Sequence, residues 1–250
     1  MTTKLTIVIP ANNEENVIIS TLDNLKEKLT IQSKILVVDD HSTDKTAAMV
    51  KEYIKKNKNV SLVGNYGVNR GFSSTLRKGF AKAETEYVLP VMADLCDDPK
   101  TINQMYSKID DGWDIVCGSR YMKGGKKEGG PKLQGYFSML VCRSLKLLTG
   151  VPTHDVSNAF KMYKRSFLRG VRVRNGGGVE VSMEIAIQMF LKGAKITEIP
   201  TSWKGREVGE SKFKIVQRMP RYWRIYFWSI KNSLMKSLKL PFDSIYIYEN

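Results

Sequence analysis

Cysteine is scarce in this chain, and what there is does not pair. Cys96, Cys117 and Cys142 are far apart, odd in number and without any C-x-x-C spacing. Neither a zinc ribbon nor a disulfide framework is supported, and a reduced compartment is the expectation. Long apolar runs are missing too. No stretch of about 18 uncharged apolar residues occurs, which argues against a multi-pass membrane protein. The opening apolar run over residues 5–10 is too short for the core of a signal peptide and reads as a buried strand. There is no internal repeat and no low-complexity linker. Acidic residues are the minority charge, 25 Asp/Glu against 40 Lys/Arg, for a net charge of +15.

What is present is the composition of a folded protein. The 250 residues are 42% hydrophobic and 26% charged, wrong for a disordered chain and enough for one large domain, or one domain with appendages. The positive charge is concentrated. Residues 1–100 hold 14 Lys/Arg against 13 Asp/Glu, whereas residues 101–250 hold 26 against 12. A near-neutral first part and a strongly basic second part suggest two tasks. Basic surfaces attract nucleic acid, anionic lipid or phosphorylated substrates, and composition does not choose among them.

Periodicity organises the first 120 residues. Apolar runs over 5–10, 34–39, 60–63, 87–92 and 113–116 predict strands. Helical spacing predicts helices over 14–30, 42–56, 72–83 and 99–109, with Asp44 or Thr43 as a cap for the second. Alternating strands and helices imply an α/β fold, a mainly parallel sheet flanked by helices. In such sheets ligands bind beyond the carboxyl ends of the strands. The residues found there are Asn12, Asn13 and Glu14; Asp39, Asp40 and Ser42; Asn69, Arg70 and Gly71; Ala93 and Asp94; Gly118, Ser119 and Arg120. Five polar strand ends in a row make a nucleotide-sized site. Residues 121–131, rich in glycine and lysine, read as a mobile loop. A helix with Leu133, Phe137, Leu140, Val141, Leu145 and Leu148 at helical spacing follows, stopped by Gly150 and Pro152. A helix over 179–191 and a strand over 194–199 complete the pattern.

A nucleoside diphosphate needs countercharge, commonly a divalent cation held by carboxylates. Asp94, at the end of a buried strand, is the candidate for that work. Asp97 and Asp98 stand close by in sequence, and Asp98-Pro99 also reads as a helix entry, so both stay undecided.

Several segments, taken in order, resemble family 2 glycosyltransferases of the GT-A fold. The likeness is to the polyprenyl-phosphate, dolichyl-phosphate mannose synthase-like branch. Residues 8–15 resemble the opening V-I-P-x-x-N-E, and residues 37–46 resemble V-V-D-D-x-S-x-D-x-T. Gly118-Ser119-Arg120-Tyr121 matches G-S-R-Y. Residues 155–161 resemble D-x-x-S-G-F-R/K, and residues 209–213 resemble G-x-S-K, with Arg206 upstream. The resemblance covers about residues 4–215 and implies a glycosyltransferase domain over 1–211, followed by a basic amphipathic helical segment over 212–250. It implies donor binding by Pro10, Asn12, Glu14, Asp39, Asp40 and Asp94. Phosphate or acceptor binding falls to Arg120, Ser138, Arg206, Ser211 and Lys212, which suit phosphate oxygens. Asp94 would hold Mg²⁺ or Mn²⁺, the first position of the family's D-x-D being Met92. Catalysis would involve Asp94, Arg120 and Asp155, the last as general base for a hydroxyl acceptor or as an organiser of the acceptor site.

The implied reaction is inverting transfer of a sugar from a GDP- or UDP-sugar to a polyprenyl phosphate. Residues 212–239 place Lys214, Arg218 and Arg221 on one helical face and Val216, Met219, Trp223, Phe227, Ile230 and Leu234 on another. Pro220 is expected to split the segment into two helices. Such a segment suits an anionic headgroup interface, so the expected location is cytoplasmic and peripheral to the membrane. Alternatives are a soluble family member acting on a sugar or protein hydroxyl, and a non-catalytic sugar-nucleotide-binding relative. A nucleic-acid partner is not expected, because no helix-turn-helix pattern, RRM-like aromatic motif or zinc ligand set is found.

Overall fold

The run Leu-Thr-Ile-Val-Ile-Pro-Ala forms the first strand, β1 (Leu5–Ala11), buried along almost its whole length. The structure is a computed structural model that describes residues 3–94, 96–169, 171, 177–205 and 215–241. After β1 come α1 (Ile18–Lys28), β2 (Ser33–Asp39), α2 (Thr46–Lys56), β3 (Val60–Gly64), α3 (Phe72–Lys82), β4 (Tyr87–Pro90), α4 (Lys100–Asp110) and β5 (Ile115–Ser119). The second part adds β6 (Lys126–Glu128), α5 (Lys132–Thr149), β7 (Lys161–Lys164), α6 (Arg165–Leu168), α7 (Val181–Leu191), β8 (Ile196–Pro200), β9 (Ser202–Lys204) and α8 (Ile215–Ser237).

Seven strands form one sheet in the order β3-β2-β1-β4-β7-β5-β8. Its first four strands run parallel, as the alternating pattern implies. β7 runs antiparallel to both β4 and β5, and β8 returns parallel to β5. The reversal was not legible in the sequence, and it decides where the loop before β7 goes.

Successive strand residues face opposite layers. Val8, Leu36, Val38 and Val88 point to one core, shared with Leu76 of α3, Leu145 of α5, most of α7, and Ile225 and Trp228 of α8. Ile7, Ile9, Ile35, Val37 and Leu89 point to the other, shared with Leu22 of α1, Val50 of α2 and Met105 of α4. Each such side chain, fully buried, contributes roughly 1.5–3 kcal/mol.

Four features depart most from expectation, each for a local reason. The first helix starts at Ile18 because the backbone N–H groups of Asn13, Glu14 and Glu15 are taken by Ser42 Oγ, Thr46 Oγ1 and Asp44 Oδ2 at 2.8–3.1 Å. The second starts at Thr46 because Ser42 and Asp44 are spent on that contact, Asp44 Oδ1 also accepting from Thr46 N at 2.9 Å. Burial alone would raise the Asp44 carboxyl, but these bonds outweigh it and its pKa is lowered. α8 is one helix through Pro220. The proline stands six residues in, where it removes one backbone bond, while Ile225 and Trp228 anchor the rest in the core. The Gly/Lys stretch expected as a loop carries β6, which pairs with β9 and sets Lys127 Nζ 4.9 Å from the Trp203 ring.

Candidate functional site

β1, β2, β4 and β5 all end on one edge of the sheet. Because β7 runs the opposite way, its beginning lies on that same edge, and the segment 153–160 is delivered there. Two motifs separated by about forty residues of sequence therefore meet: Gly118–Arg120 at the end of β5 and Asp155–Phe160 before β7. Their meeting is tight. A Cβ at position 118 would fall 2.7 Å from the Phe160 ring, which accounts for glycine there, and Gly118 N donates to Phe160 O at 3.0 Å.

At this junction lies a buried ion pair. Arg120 Nε donates to Asp155 Oδ2 at 2.7 Å and Arg120 Nη2 to Asp155 Oδ1 at 2.9 Å, while Arg120 N adds a third bond at 3.0 Å. The Asp155 side chain is fully buried and that of Arg120 is 12% exposed. Burial alone would raise the Asp155 carboxyl; the Arg120 guanidinium outweighs it, and the net shift is downward. A carboxylate engaged on both oxygens and held ionised is a poor proton acceptor, so the geometry fits the organiser of the two notions for Asp155 and not the base. Ser157 Oγ accepts from Arg120 Nη2 at 3.3 Å and lies 3.1 Å from Ser138 Oγ of α5. The loop is shaped from below by Lys161, fully buried, whose ammonium donates to the carbonyls of Val156, at 3.0 Å, and Asn158.

The other half of the edge is built on β1 and β2. Asp40 is buried; its Oδ1 accepts from Asn65 Nδ2 at 2.8 Å and its Oδ2 from Gly71 N at 2.7 Å. Asn12 donates its amide to Asp40 O at 2.6 Å, closing the ends of β1 and β2 together. Asp39 Oδ2 accepts from the Tyr66 hydroxyl at 2.8 Å. Pro10 is half-buried in β1, and Glu14 half-buried in the loop that follows.

Between the halves stands the segment after β4. Asp94 is half-buried, with Oδ1 accepting from Cys96 N at 3.2 Å. Asp97 is 8% exposed and its Oδ1 has no hydrogen-bond partner. Burial, then the charge of Asp94, pushes its pKa up to about 7. No group of three or more His, Cys, Asp and Glu able to hold a metal occurs among the described residues. Two adjacent carboxylates, one with an unpaired buried oxygen, are nevertheless the donor set that suits a cation completing its shell with phosphate oxygens and water.

The structure thus brings together Asp39, Asp40, Asn12, Asp94, Arg120, Asp155 and Ser138 along one edge. Arg206, Ser211 and Lys212 lie outside the described residues. Asn65 and Tyr66 lie at the site although the sequence pattern does not point to them, and Asp97, undecided from the sequence, lies there with Asp94. Asn65 directly follows the apolar run of β3, a position the sequence reading passed over in favour of Asn69.

The fold is shared with solved nucleotide-sugar enzymes. Glucosyl-3-phosphoglycerate synthase from Mycobacterium tuberculosis superposes with a TM-score of 0.65 at 16% identity, covering 96% of this chain and 81% of that one. S. aureus TarS, solved with UDP-GlcNAc, gives 0.62 at 19% identity, covering 94% and 73%. The architecture is therefore the GT-A fold. Among curated proteins, a dolichol-phosphate mannosyltransferase of Pyrococcus furiosus is 32% identical over 235 residues, 90% of this chain and 64% of that protein. The chain thus spans somewhat less than two thirds of that relative's length. A polyprenol monophosphomannose synthase of Mycolicibacterium smegmatis is 24% identical over 245 residues, 93% of this chain and 89% of the relative. Residues 6–172 match the family described as Glycosyl transferase family 2; the chain belongs to that family and is similar to its dolichol-phosphate mannosyltransferase branch.

Proposed function

We propose that this protein moves a sugar from a nucleoside diphosphate sugar, GDP-mannose or a UDP-sugar, to a polyprenyl or dolichyl phosphate at the cytoplasmic face of a membrane. The observation that carries the reading is the buried Arg120–Asp155 pair with the Ser138 and Ser157 hydroxyls beside it. It is a hydrogen-bonding cradle, an ion pair with two hydroxyls, on the same edge as the Asp39/Asp40 pocket. A guanidinium fixed on one side by a carboxylate presents its remaining N–H groups in a set direction, which suits a phosphate. The curated relatives named as dolichol-phosphate mannosyltransferase and polyprenol monophosphomannose synthase point the same way.

In this reading the donor lies over β1 and β2, held by Pro10, Asn12, Glu14, Asp39 and Asp40. The acceptor phosphate lies against Arg120 and Ser138, with Arg206, Ser211 and Lys212 assigned to it by motif. The acceptor oxygen attacks the anomeric carbon as the bond to the diphosphate breaks; one C–O bond forms, one is lost, and configuration inverts. A lipid phosphate arrives already ionised, so no residue need take a proton. That agrees with an Asp155 committed to Arg120. A divalent cation, Mg²⁺ or Mn²⁺, would sit at Asp94 and Asp97 and offset the charge of the departing diphosphate. In a related fold, the M. tuberculosis synthase was solved with Mn²⁺ and UDP.

Residues 212–250 are assigned to an amphipathic segment that, together with α5, rests on an anionic membrane surface. No helix among the described residues is long and apolar enough to cross a membrane. α5 and α8 pack together, with Tyr226 OH donating to Ser144 Oγ at 2.9 Å. Each carries an outward apolar stripe: Leu133, Phe137, Leu140 and Leu147 on α5, and Trp223, Phe227 and Leu234 on α8, 39–84% exposed. Lysine and arginine flank both stripes. Exposed leucines at that density suit insertion at the headgroup boundary. Replacing Leu133, Leu140 and Leu147 together by serine is expected to lower partitioning to anionic vesicles roughly tenfold or more. Thermal stability should stay near wild type, because all three point outward. Flotation with phosphatidylserine vesicles checks it; unchanged flotation counts against the membrane reading.

The deciding experiment is a panel of GDP- and UDP-sugars with polyprenyl phosphate and Mg²⁺ or Mn²⁺, scored by product mass. A lipid-phosphate sugar is the expected product. Transfer to a soluble sugar or protein hydroxyl, with none to lipid phosphate, overturns the acceptor.

A further inference from the structure

Tyr66 is a large aromatic side chain left 63% exposed immediately after β3, yet its hydroxyl is committed inward, to Asp39 Oδ2 at 2.8 Å. Asp39 is 1% exposed, and its second oxygen, Oδ1, is buried with no hydrogen-bond partner. A buried carboxylate has about four acceptor positions and is stabilised by filling them. Here the donor to its carboxylate comes from a side chain that lies mostly in solvent. The ring has little to hold it otherwise. It meets His41 edge-on, with centroids 5.7 Å apart, and lies where a side chain on Gly64 would stand, 2.1 Å from an added Cβ. It therefore covers the carboxyl ends of β2 and β3, beside Asn12 and Asp40.

We infer that Tyr66 stands in for the nucleobase: its hydroxyl occupies the acceptor at Asp39 that a ring N–H of the base takes, and the side chain moves aside to admit the donor. The inference rests on the donor pocket proposed above and adds to it the residue that sets how readily a nucleotide enters. Uracil offers one ring N–H, and guanine a ring N–H beside an amino group. Either donates to a carboxylate as a phenol does. The exchange gives up one O–H···O⁻ bond and forms one or two N–H···O⁻ bonds, the second reaching the oxygen that is unpaired in the free protein. Hydrogen bonding to Asp39, then burial, raises the Tyr66 pKa, which keeps the hydroxyl a donor at neutral pH.

Nothing in this exchange involves the phosphates, and that separates it from a general effect on the site. Calorimetric titration of wild type, Tyr66→Phe and Tyr66→Ala with UDP, with GDP and with pyrophosphate tests it. Phenylalanine keeps the ring and removes the competing hydroxyl. Whichever nucleotide wild type binds should bind Tyr66→Phe about tenfold more tightly, by the loss of one competing charged hydrogen bond, and pyrophosphate should bind both alike. Equal or weaker nucleotide binding by Tyr66→Phe overturns the inference and leaves the transferase reading standing. Weaker binding by Tyr66→Ala alone, with Tyr66→Phe unchanged, also overturns it, because the ring would then be a stacking surface for the base. If neither nucleotide binds wild type or Tyr66→Phe, both the inference and the donor pocket fall.

Discussion

Asp155→Ala should destabilise the protein by about 3–5 kcal/mol, the usual consequence of leaving a buried charge without its partner. For a chain of this size that corresponds to a fall in melting temperature of roughly 10 °C. The size follows from where the pair sits. The Asp155 side chain is fully buried and takes three hydrogen bonds from Arg120. Without it, the guanidinium keeps, among the described residues, the Ser157 hydroxyl and the Tyr121 ring, 5.0 Å from its centroid. On the proposed assignment, transfer to the acceptor should fall with it, since the guanidinium N–H groups that Asp155 does not take are no longer aimed. The double variant Arg120→Met with Asp155→Leu separates the two effects. Well-packed apolar replacements of a buried pair are often neutral for stability, so the double variant should recover most of the lost melting temperature and none of the acceptor affinity. Recovery of both would remove Arg120 from the acceptor site.

The same pair gives a pH dependence with a definite sign. The folded Asp155 carboxyl titrates below its ordinary value, which is about 3.9 in an unfolded chain. Its contribution is therefore fully present above roughly pH 4 and is lost as pH falls through the lower folded value. Chemical unfolding followed from pH 6 to pH 3 should show stability dropping in the acid limb, and Asp155→Asn should flatten that limb. An unchanged limb would mean that other carboxylates control acid unfolding.

How far the sequence reached depends on what kind of contact is asked about. Local periodicity located the strands that open the fold, because a buried parallel strand needs a continuous apolar run and Leu5–Ala11 supplies one. Strand ends then pointed to one edge of the sheet, and Asp39, Asp40, Asp94 and Arg120 share that edge. Orientation was a different matter. Leu133, Phe137 and Leu140 share a helical face by spacing, but spacing cannot say whether that face looks into a core or out of it. On α5 it looks outward, and Cys142 and Leu145 face the core instead. On α8 the face bearing Trp223, Phe227 and Leu234 is likewise the outer one. Long-range pairing was illegible in the same way. Nothing local to Asp155 announces that an antiparallel β7 will carry it to Arg120, and nothing local to Tyr66 announces a hydrogen bond to Asp39, twenty-seven residues earlier. The V-V-D-D-x-S-x-D-x-T stretch was recognisable as a pattern before its physics was. Ser42, Asp44 and Thr46 are there because three backbone N–H groups of the preceding loop need acceptors.

The second large effect is expected at Asp94 and Asp97. Without a cation these carboxylates oppose one another: Asp97 is buried, has an oxygen without a partner, and is raised to about 7 by burial and by the charge of Asp94. Relieving that repulsion should help the free protein, so Asp97→Asn is expected to melt higher than wild type in EDTA. With a cation the sign reverses. Mn²⁺ at a hundred times its dissociation constant should stabilise wild type by about 2.7 kcal/mol, roughly 5–10 °C at this chain length. The increment should shrink in Asp97→Asn and vanish in Asp94→Asn. Transfer should fall about 10²–10³-fold in Asp94→Asn, the loss expected when several kcal/mol of charge stabilisation at the leaving diphosphate is removed. Melting curves with EDTA, Mg²⁺ and Mn²⁺ read the cation effect without relying on turnover. If Asp97→Asn melts lower than wild type in EDTA, the two carboxylates are not in conflict, and Asp97 is a structural residue of the β4–α4 loop. If Asp94→Asn keeps the full Mn²⁺ increment, the cation binds elsewhere, and the charge on the departing diphosphate is met by Arg120 and the basic residues of the second half.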